Sequence, residues 1–395
     1  MSDYDVIVVG GRVAGATTAL LLARAGMRVA VVERSPVGTD TVSTHALMRA
    51  GVLQLSRWGV LGAVQAAGTP PVRRTLFHYP GQTVQVSIRP SPGVEALLAP
   101  RRTVLDPILL EAAQEAGADL WQRRTVVGLL HAEGRVVGVR LRTDAGDEAI
   151  LRARLTIGAD GLRSGVAAAV GAATQRQAEH ASAVLYGYRA GLPTDAYEWA
   201  YAPGVAAGLI PTNDGLTCVF AGSTPADLRE ARRLGGPEAL RRLFARAAPE
   251  HLDRFDASSP ASPIRGWAGT RGFVRRSWGP GWALVGDAGL FRDPITTHGM
   301  TDALRDAELL ADAVVVGMSG ASAEGPALQE YQFRRDALSE RLFRVTDEIA
   351  SFRWDTAGIR DLLRSASSAM VDEVEFLEGR IGVRSLVGDE PATVG

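Results

Sequence analysis

The 395-residue sequence contains no lysine, so all 43 of its basic side chains are arginine. It contains one cysteine, Cys218, which excludes an internal disulfide framework and any multi-thiolate metal site, as fits a reducing cytoplasm. It lacks the run of roughly 18 consecutive apolar residues that a membrane span requires. The richest run, Ala311 to Met318, is short and preceded by charges, and no transmembrane segment is expected. The first apolar stretch, Val6 to Val9, follows Asp3 and Asp5 in place of a basic segment, so it does not read as an export signal and a cytoplasmic location is expected. Neither charge is in excess: 43 basic and 44 acidic residues leave a formal net charge of -1. No global field therefore attracts nucleic acid, and any charged partner must be met locally.

What is present is a chain with 46% hydrophobic residues, long enough to bury a large core. DVIVVG (Asp5 to Gly10) reads as a buried strand, with a glycine-containing turn, a helix over Val13 to Ala25 and a second strand ending at Glu33. This is a βαβ unit. A helical pattern follows from Thr44 to Ala67. Between Pro70 and Pro100 prolines, glycines and alternating segments such as TVQVSI predict exposed strands and turns. Asp106-Pro107 reads as the cap and first turn of a helix ending near Gly117, and TVVGLLH, RVVGVRLRT and EAILRARLTIG predict a β-meander. The stretch from Gln175 to Pro263 predicts antiparallel strands with a helix around Pro237 to Arg246. A buried strand returns at Ala283, and an amphipathic helix begins at Gly299 with Met300, Ala303, Leu304, Ala307, Leu310 and Val314 on one face.

The fold expected is α/β, with a Rossmann-like domain interleaved with a mainly antiparallel β-sheet substrate domain, plus C-terminal helices. The expected divisions are 1–75, 101–172 and 268–325 for the first domain, 76–100 and 173–267 for the second, and 326–395 for the helical tail.

Three separated patches carry the chemistry. The first is VVGGRVAGA, with Gly10, Ala14 and Gly15 at the turn and helix start and Glu33, followed by Arg34, at the end of the next strand. A dinucleotide needs such a turn, a helix N-terminus facing its pyrophosphate and an acid for the ribose hydroxyls. Arg12 stands where that fingerprint has its middle glycine; it either pairs with phosphate or points to solvent while the backbone approaches. The second patch, TIGADGLRSGV, places Asp160 in a small-residue turn after a strand. In the third, WALVGDAGLFRDPITTHGM, a strand delivers Gly286 and Asp287. Pro294 stiffens the loop, and Thr297, His298, Gly299 and Met300 open a helix whose free N–H groups favour negative charge.

Together the patches resemble the single-component FAD monooxygenases of the flavoprotein hydroxylase family, related to para-hydroxybenzoate hydroxylase and geranylgeranyl reductase, with a GR2-type FAD-binding domain. GGRVAG with Glu33, GADGLRS and GDAGLFRDP are the matching motifs, and the likeness extends over most of the chain. It implies FAD as cofactor, NADPH or NADH as reductant and O2 as co-substrate. A flavin C4a-hydroperoxide would transfer oxygen to a small aromatic or polyketide-like molecule. The implied roles are adenosine ribose binding for Glu33 and the phosphate or ribityl region for Arg102. They extend to FAD and nicotinamide binding for Asp160, the ribityl chain for Asp287, and the ring border for Pro294 and residues 297 to 300. Alternatives are a reductase of prenyl double bonds and a non-catalytic binding protein on the same fold. A flavin-dependent halogenase fits less well, because the chain has no WxWxIP segment and no lysine.

His45 and His298 lie nearest these motifs, and with Pro294 they are the candidates for a direct part in the chemistry. Each histidine either contacts the flavin edge, assists substrate deprotonation, or is satisfied by local backbone. Arg292 and Asp293 read as an active-site pair or a structural ion pair. His78, His131, His180 and His251 show no metal-ligand spacing and are expected to be structural or exposed. Tyr186, Tyr188, Trp199 and Tyr201 either stack on an aromatic ligand or pack in the core. RRLGGPEALRRLFAR is expected to be a solvated helix face, and Cys218 a buried thiol. No metal is expected.

Overall fold

The computed structural model describes residues 3–385, with side chains through Arg380. Residues 1–2 and 386–395, at the ends of the expected first domain and helical tail, lie outside the described residues. The chain opens with β1 (Tyr4–Val9), α1 (Val13–Arg24) and β2 (Val29–Glu33). The valine runs of both strands are buried on two faces, as expected of a parallel sheet covered on each side.

The helical pattern expected from Thr44 begins instead at α2 (Arg49–Arg57), because residues 44–48 are held out of the helix and His45 takes a left-handed φ of 68°. Strands β3 (Arg74–Tyr79) and β4 (Gln82–Ser87) follow. The next helix, α3 (Arg102–Glu115), starts before the expected Asp106-Pro107 cap and contains Pro107. Arg102 grips Asp106 one turn later at 2.8 and 3.0 Å, and Pro107 forfeits only one backbone hydrogen bond near the helix start.

After β5 (Asp119–Gln122), the expected meander is present as β6 (Arg124–Ala132), β7 (Arg135–Thr143) and β8 (Glu148–Gly158). The long β8 serves two sheets. Its first half pairs antiparallel with β7 and its second half lies parallel to β1. Then come β9 (Ala183–Ala190), β10 (Tyr197–Ala202), β11 (Val205–Pro211), β12 (Thr217–Ser223) and α4 (Gly236–Ala247). The chain ends with β13 (Trp282–Leu284), α5 (Gly299–Met318), α6 (Glu324–Ala350) and α7 (Thr356–Ser385).

The parallel part of the first sheet runs β13-β8-β1-β2-β5, with antiparallel strands added at Trp278–Gly279 beside β13 and as β6 and β7 off β8. Val9 lies opposite Gly158 and Val32, and Gly158 opposite Leu284. The segments that follow β1, β8 and β13 therefore emerge at the same sheet edge, where open α/β sheets bind ligands. The second sheet runs β9-β12-β11-β10-β3-β4 and is antiparallel except for the β10–β3 pair. Its alternation sorts two cores. Tyr186, Tyr188, Tyr197, Trp199 and Tyr201 pack with residues of α6 and α7, while Leu185, Ala200, Leu209 and Val219 pack against Leu240, Leu243 and Phe244 of α4. The arginine-rich α4 is thus amphipathic, not wholly solvated.

The helix α5 departs from the amphipathic expectation: it is buried without a break from Thr301 to Ala311, including Asp302, Arg305, Asp306 and Glu308. These charges neutralise one another across helices. Arg305 reaches Glu373 of α7 at 2.8 Å, Ser339 of α6 at 2.9 Å, Asp302 at 3.0 Å and Asp306 at 2.6 Å. Glu308 accepts from Gln54 of α2 at 2.8 Å. Removing one member of such a buried set strands the others in low dielectric. Arg305→Ala is expected to lower the unfolding free energy by about 3–5 kcal/mol in a urea titration. Arg364→Ala, which breaks an exposed pair with Asp361, should change it by less than about 0.5 kcal/mol.

Candidate functional site

The turn between β1 and α1 leaves no space for side chains at two positions. Gly10 has φ 106°, and a Cβ there would sit 2.5 Å from the Ala159 carbonyl oxygen. A Cβ on Gly15 would sit 1.8 Å from the carbonyl oxygen of Gly10. Arg12 is different: its backbone is extended, with φ -92° and ψ -168°, a conformation open to any residue. The missing middle glycine is therefore no conformational obstacle. The Arg12 guanidinium lies 3.8 Å from Asp106, which Arg102 already holds, and its Nη1 is buried without a hydrogen-bond partner. Glu33 accepts from the backbone N–H groups of Gly11 at 2.8 Å and Ser35 at 2.7 Å, which orients a carboxylate that keeps lone pairs for a ligand. Gly11, Arg12, Glu33, Thr39 and Asp106 line a narrow cleft, and Arg34 is exposed beside it.

The second and third patches close on the first. Ala159 packs against both Gly10 and Gly15, and a Cβ on Gly286 would lie 2.9 Å from that of Ala14. Asp160 turns one oxygen to the N–H groups of Gly165 and Val166 at 2.7 and 3.1 Å, while Oδ1 is buried without a partner. Asp287 follows β13 at this junction. Burial, reinforced by the negative Asp302 and Asp306 and opposed by Arg102, pushes its pKa up to about 6. Pro294 opens a single 3-10 turn, Thr297 is left-handed with φ 50°, and no side chain caps α5 at Gly299. The N–H groups of Gly299 and Met300 have no acceptor within the helix.

One expectation about this segment is corrected. Arg292 does not pair with Asp293. It forms an ion pair with Asp302, while Asp293 accepts from Ser182 N at 2.6 Å, Ser182 Oγ at 2.5 Å and Ile295 N at 3.0 Å. The His298 ring is buried in the network of α5, with Nε2 2.7 Å from Glu373 and Nδ1 without a hydrogen-bond partner.

The second sheet forms the other wall. The residues after β2 lie against β9: Tyr186 Oη is 3.3 Å from Ser43 N, and His45 Nε2 hydrogen-bonds Tyr188 Oη. Arg101 stacks over the Tyr188 ring at 4.6 Å. Asp40 holds Arg265 at 3.1 Å, and Asn213 accepts from Arg101 N at 2.9 Å. Burial and the positive charges of Arg102, Arg101 and Arg265 push the His45 pKa down to about 3. His45 is thus a neutral hydrogen-bonding group and a weak base. Arg101, Asp40 and Asn213 were missed in the sequence, whereas Tyr188 was read there as a ring that stacks on a ligand or packs in the core. The alternation of LYGYRA, which places Tyr186 and Tyr188 on one face, was the available signal for Tyr188. Cys218 is fully buried opposite Tyr188, and burial raises its thiol pKa.

These groups fit a flavin dinucleotide. The acid at the end of β2, the side-chain-free turn, the unpartnered Arg12 Nη1 and the uncapped start of α5 supply an acceptor and donors along one edge. Gly15→Val should abolish FAD uptake, and Asp287→Ala should weaken FAD retention strongly, both read from the visible absorbance of purified protein. Because His45 stays neutral when folded but protonates below about pH 6.5 when unfolded, its burial costs stability as pH falls from about 6.5 towards 3. His45→Gln should therefore gain stability relative to the parent between pH 6.5 and 4 in thermal melts, with no such gain above pH 7.

Residues 3–346 match the family model described as FAD binding domain. Among curated proteins, the chain is 27% identical over 355 residues to digeranylgeranylglycerophospholipid reductase 2 of Methanothermobacter thermautotrophicus, covering 86% of each chain. It is 30% identical over 348 residues to 3-demethoxyubiquinol 3-hydroxylase of Escherichia coli, covering 84% of this chain and 85% of the other. Among solved structures, Pseudomonas aeruginosa PqsL in complex with 2-aminobenzoylacetate superposes with a TM-score of 0.75 at 24% identity, over 92% of this chain and 98% of the other. The myxobacterial chondrochloren halogenase CndH gives 0.77 at 24% identity, over 94% and 90%. Among the described residues, no helix is long and apolar enough to cross a membrane. The chain belongs to the FAD binding domain family and is an FAD-dependent oxidoreductase.

Proposed function

We propose that the protein is a monooxygenase that uses NAD(P)H and O2 to hydroxylate a small aromatic or polyketide-like substrate. The observation that carries this reading is the wall of the second sheet, where Tyr186 and Tyr188 face the segment after β2, while Trp199 and Tyr201 on the same face pack in the core with α6 and α7. Two of its phenol groups are engaged by the segment after β2. Such a surface suits a compact ring with polar substituents, held by stacking and by hydroxyl contacts.

FAD, when bound, supplies the redox chemistry, accepting hydride from the nicotinamide and activating oxygen for transfer. The chain supplies position, charge and dryness. Glu33 would hold the adenosine ribose, Arg12 and Arg102 would face the phosphates, and Asp287 would accept from the ribityl hydroxyls. The N–H groups at the start of α5 favour negative charge at the neighbouring ring edge. Tyr188 and neutral His45 orient a substrate oxygen. The packed sheet above excludes water, which limits wasteful release of peroxide.

A prenyl reductase is the second reading, favoured by the 27% identity to a digeranylgeranylglycerophospholipid reductase. A halogenase is not favoured, since the chain has no lysine to carry the halogenating role. NAD(P)H consumption with phenols, quinones and isoprenoids should be stimulated by a phenol or quinone, with one oxygen atom from labelled O2 in the product. Product formation that proceeds unchanged without O2 would overturn the monooxygenase reading.

A further inference from the structure

We propose that His78, Glu198 and His251 form a binding site for a divalent transition-metal ion of the zinc class, on the face of the second sheet that points away from the flavin cleft. His78 lies on β3 opposite Ala200 of β10, two residues from Glu198. Both side chains therefore project from the face on which Ala200 packs with α4. His251 comes from the turn Pro249–His251 that follows α4. One ligand atom from each of the three residues lies within 4.8 Å of the other two, and His78 Nε2 is 3.3 Å from Glu198 Oε2. Bonds of about 2.0–2.2 Å in a tetrahedral site place neighbouring ligand atoms about 3.3–3.5 Å apart; His78 Nε2 and Glu198 Oε2 already have that spacing, and the His251 ring, whose Nε2 lies 3.3 Å from His78 Nδ1, turns to complete the set.

The hydrogen bonds favour a cation. His78 Nδ1 is 3.0 Å from Thr83 Oγ1 and 3.3 Å from His251 Nε2; in the tautomer whose Nδ1 donates to the hydroxyl, the lone pair is on Nε2. That atom is buried, has no hydrogen-bond partner and faces a carboxylate oxygen. A lone pair aimed at a carboxylate is repulsive unless a positive species lies between them. Two imidazoles and one carboxylate, with a ring N–H fixed by an outer hydroxyl, are a ligand set and support that zinc-class ions select. Arg254 touches both oxygens of Glu198, at 3.2 and 3.3 Å, and would orient the carboxylate from outside. Its charge is offset by Glu250, whose carboxylate lies 3.9 Å from His251. The ion would clip the 249–257 segment to the sheet edge, a stabilising role separate from the flavin chemistry. The competing arrangement is a proton shared between His78 and Glu198, giving a plain ion pair.

The test uses FAD-loaded protein dialysed against a chelator and titrated with zinc chloride by calorimetry, with flavin absorbance as the check on folding. The expected result is one ion per chain at micromolar affinity or tighter, with a melting temperature at least about 2 °C higher in saturating zinc. His251→Ala, at a partly exposed turn, and Glu198→Gln should each weaken binding at least tenfold, while His180→Ala should not. If Glu198→Gln loses its flavin, the His251→Ala titration decides. Absence of stoichiometric uptake, as the ion pair requires, or uptake unchanged in His251→Ala, overturns the proposal.

Discussion

One contact sets the design of the site: at Gly15, a helix meets the carbonyl of Gly10 so tightly that no side-chain atom fits. That contact lets α1 enter directly from the end of β1, so its first N–H groups face the sheet edge where a dinucleotide phosphate would lie. Gly10 in turn rests on Ala159, and Ala14 on Gly286. Segments distant in sequence thus meet around one turn because three small residues let backbones touch. The parallel register aligns the strand ends, but the absent side chains bring the loops together.

Beneath this junction the protein buries charge as well as hydrocarbon. Asp302, Arg305, Asp306, Glu373 and Arg292 form a set in which each charge faces an opposite one, and His298 hydrogen-bonds Glu373 within it. Such sets add little net stability compared with an apolar core, yet they are intolerant of change and bind their helices in one register. The start of α5, the proposed border of the flavin ring, is held from below by α6 and α7. Thr297 and His45, both non-glycine residues with left-handed backbones, flank the site on chain segments fixed by these anchors, where strained conformations are retained because their surroundings determine them.

Most of the architecture was legible in the sequence because it rests on periodicity and turn chemistry. The valine runs of β1 and β2, the meander ending in β8 and the antiparallel strands from Ala183 to Ser223 all follow local patterns. Arg12 read as a departure from a fingerprint, since a motif records residue types and not dihedral angles; its extended backbone removes the difficulty. His298 was placed by proximity to a motif, whereas its direction depends on Glu373, 75 residues later. The same limit applied to α5, whose polar positions looked solvent-facing until α6 and α7 covered them. The His78, Glu198 and His251 cluster was invisible for a related reason: metal-ligand spacing is sought along one element, and these residues come from two strands and a turn.

The location of Glu373 has a consequence for biosynthesis. A ribosome releases the β1–α1–β2 unit early, but the sheet edge is incomplete until β13 has emerged, and Arg305 and His298 lack their Glu373 partner until α7 follows. A nascent chain therefore holds a glycine turn with no finished cleft beside it through most of translation. Cofactor capture is in this way coupled to chain completion, and a product truncated before Glu373 would carry a nearly entire nucleotide fold whose Arg305 and His298 had lost their partner on α7.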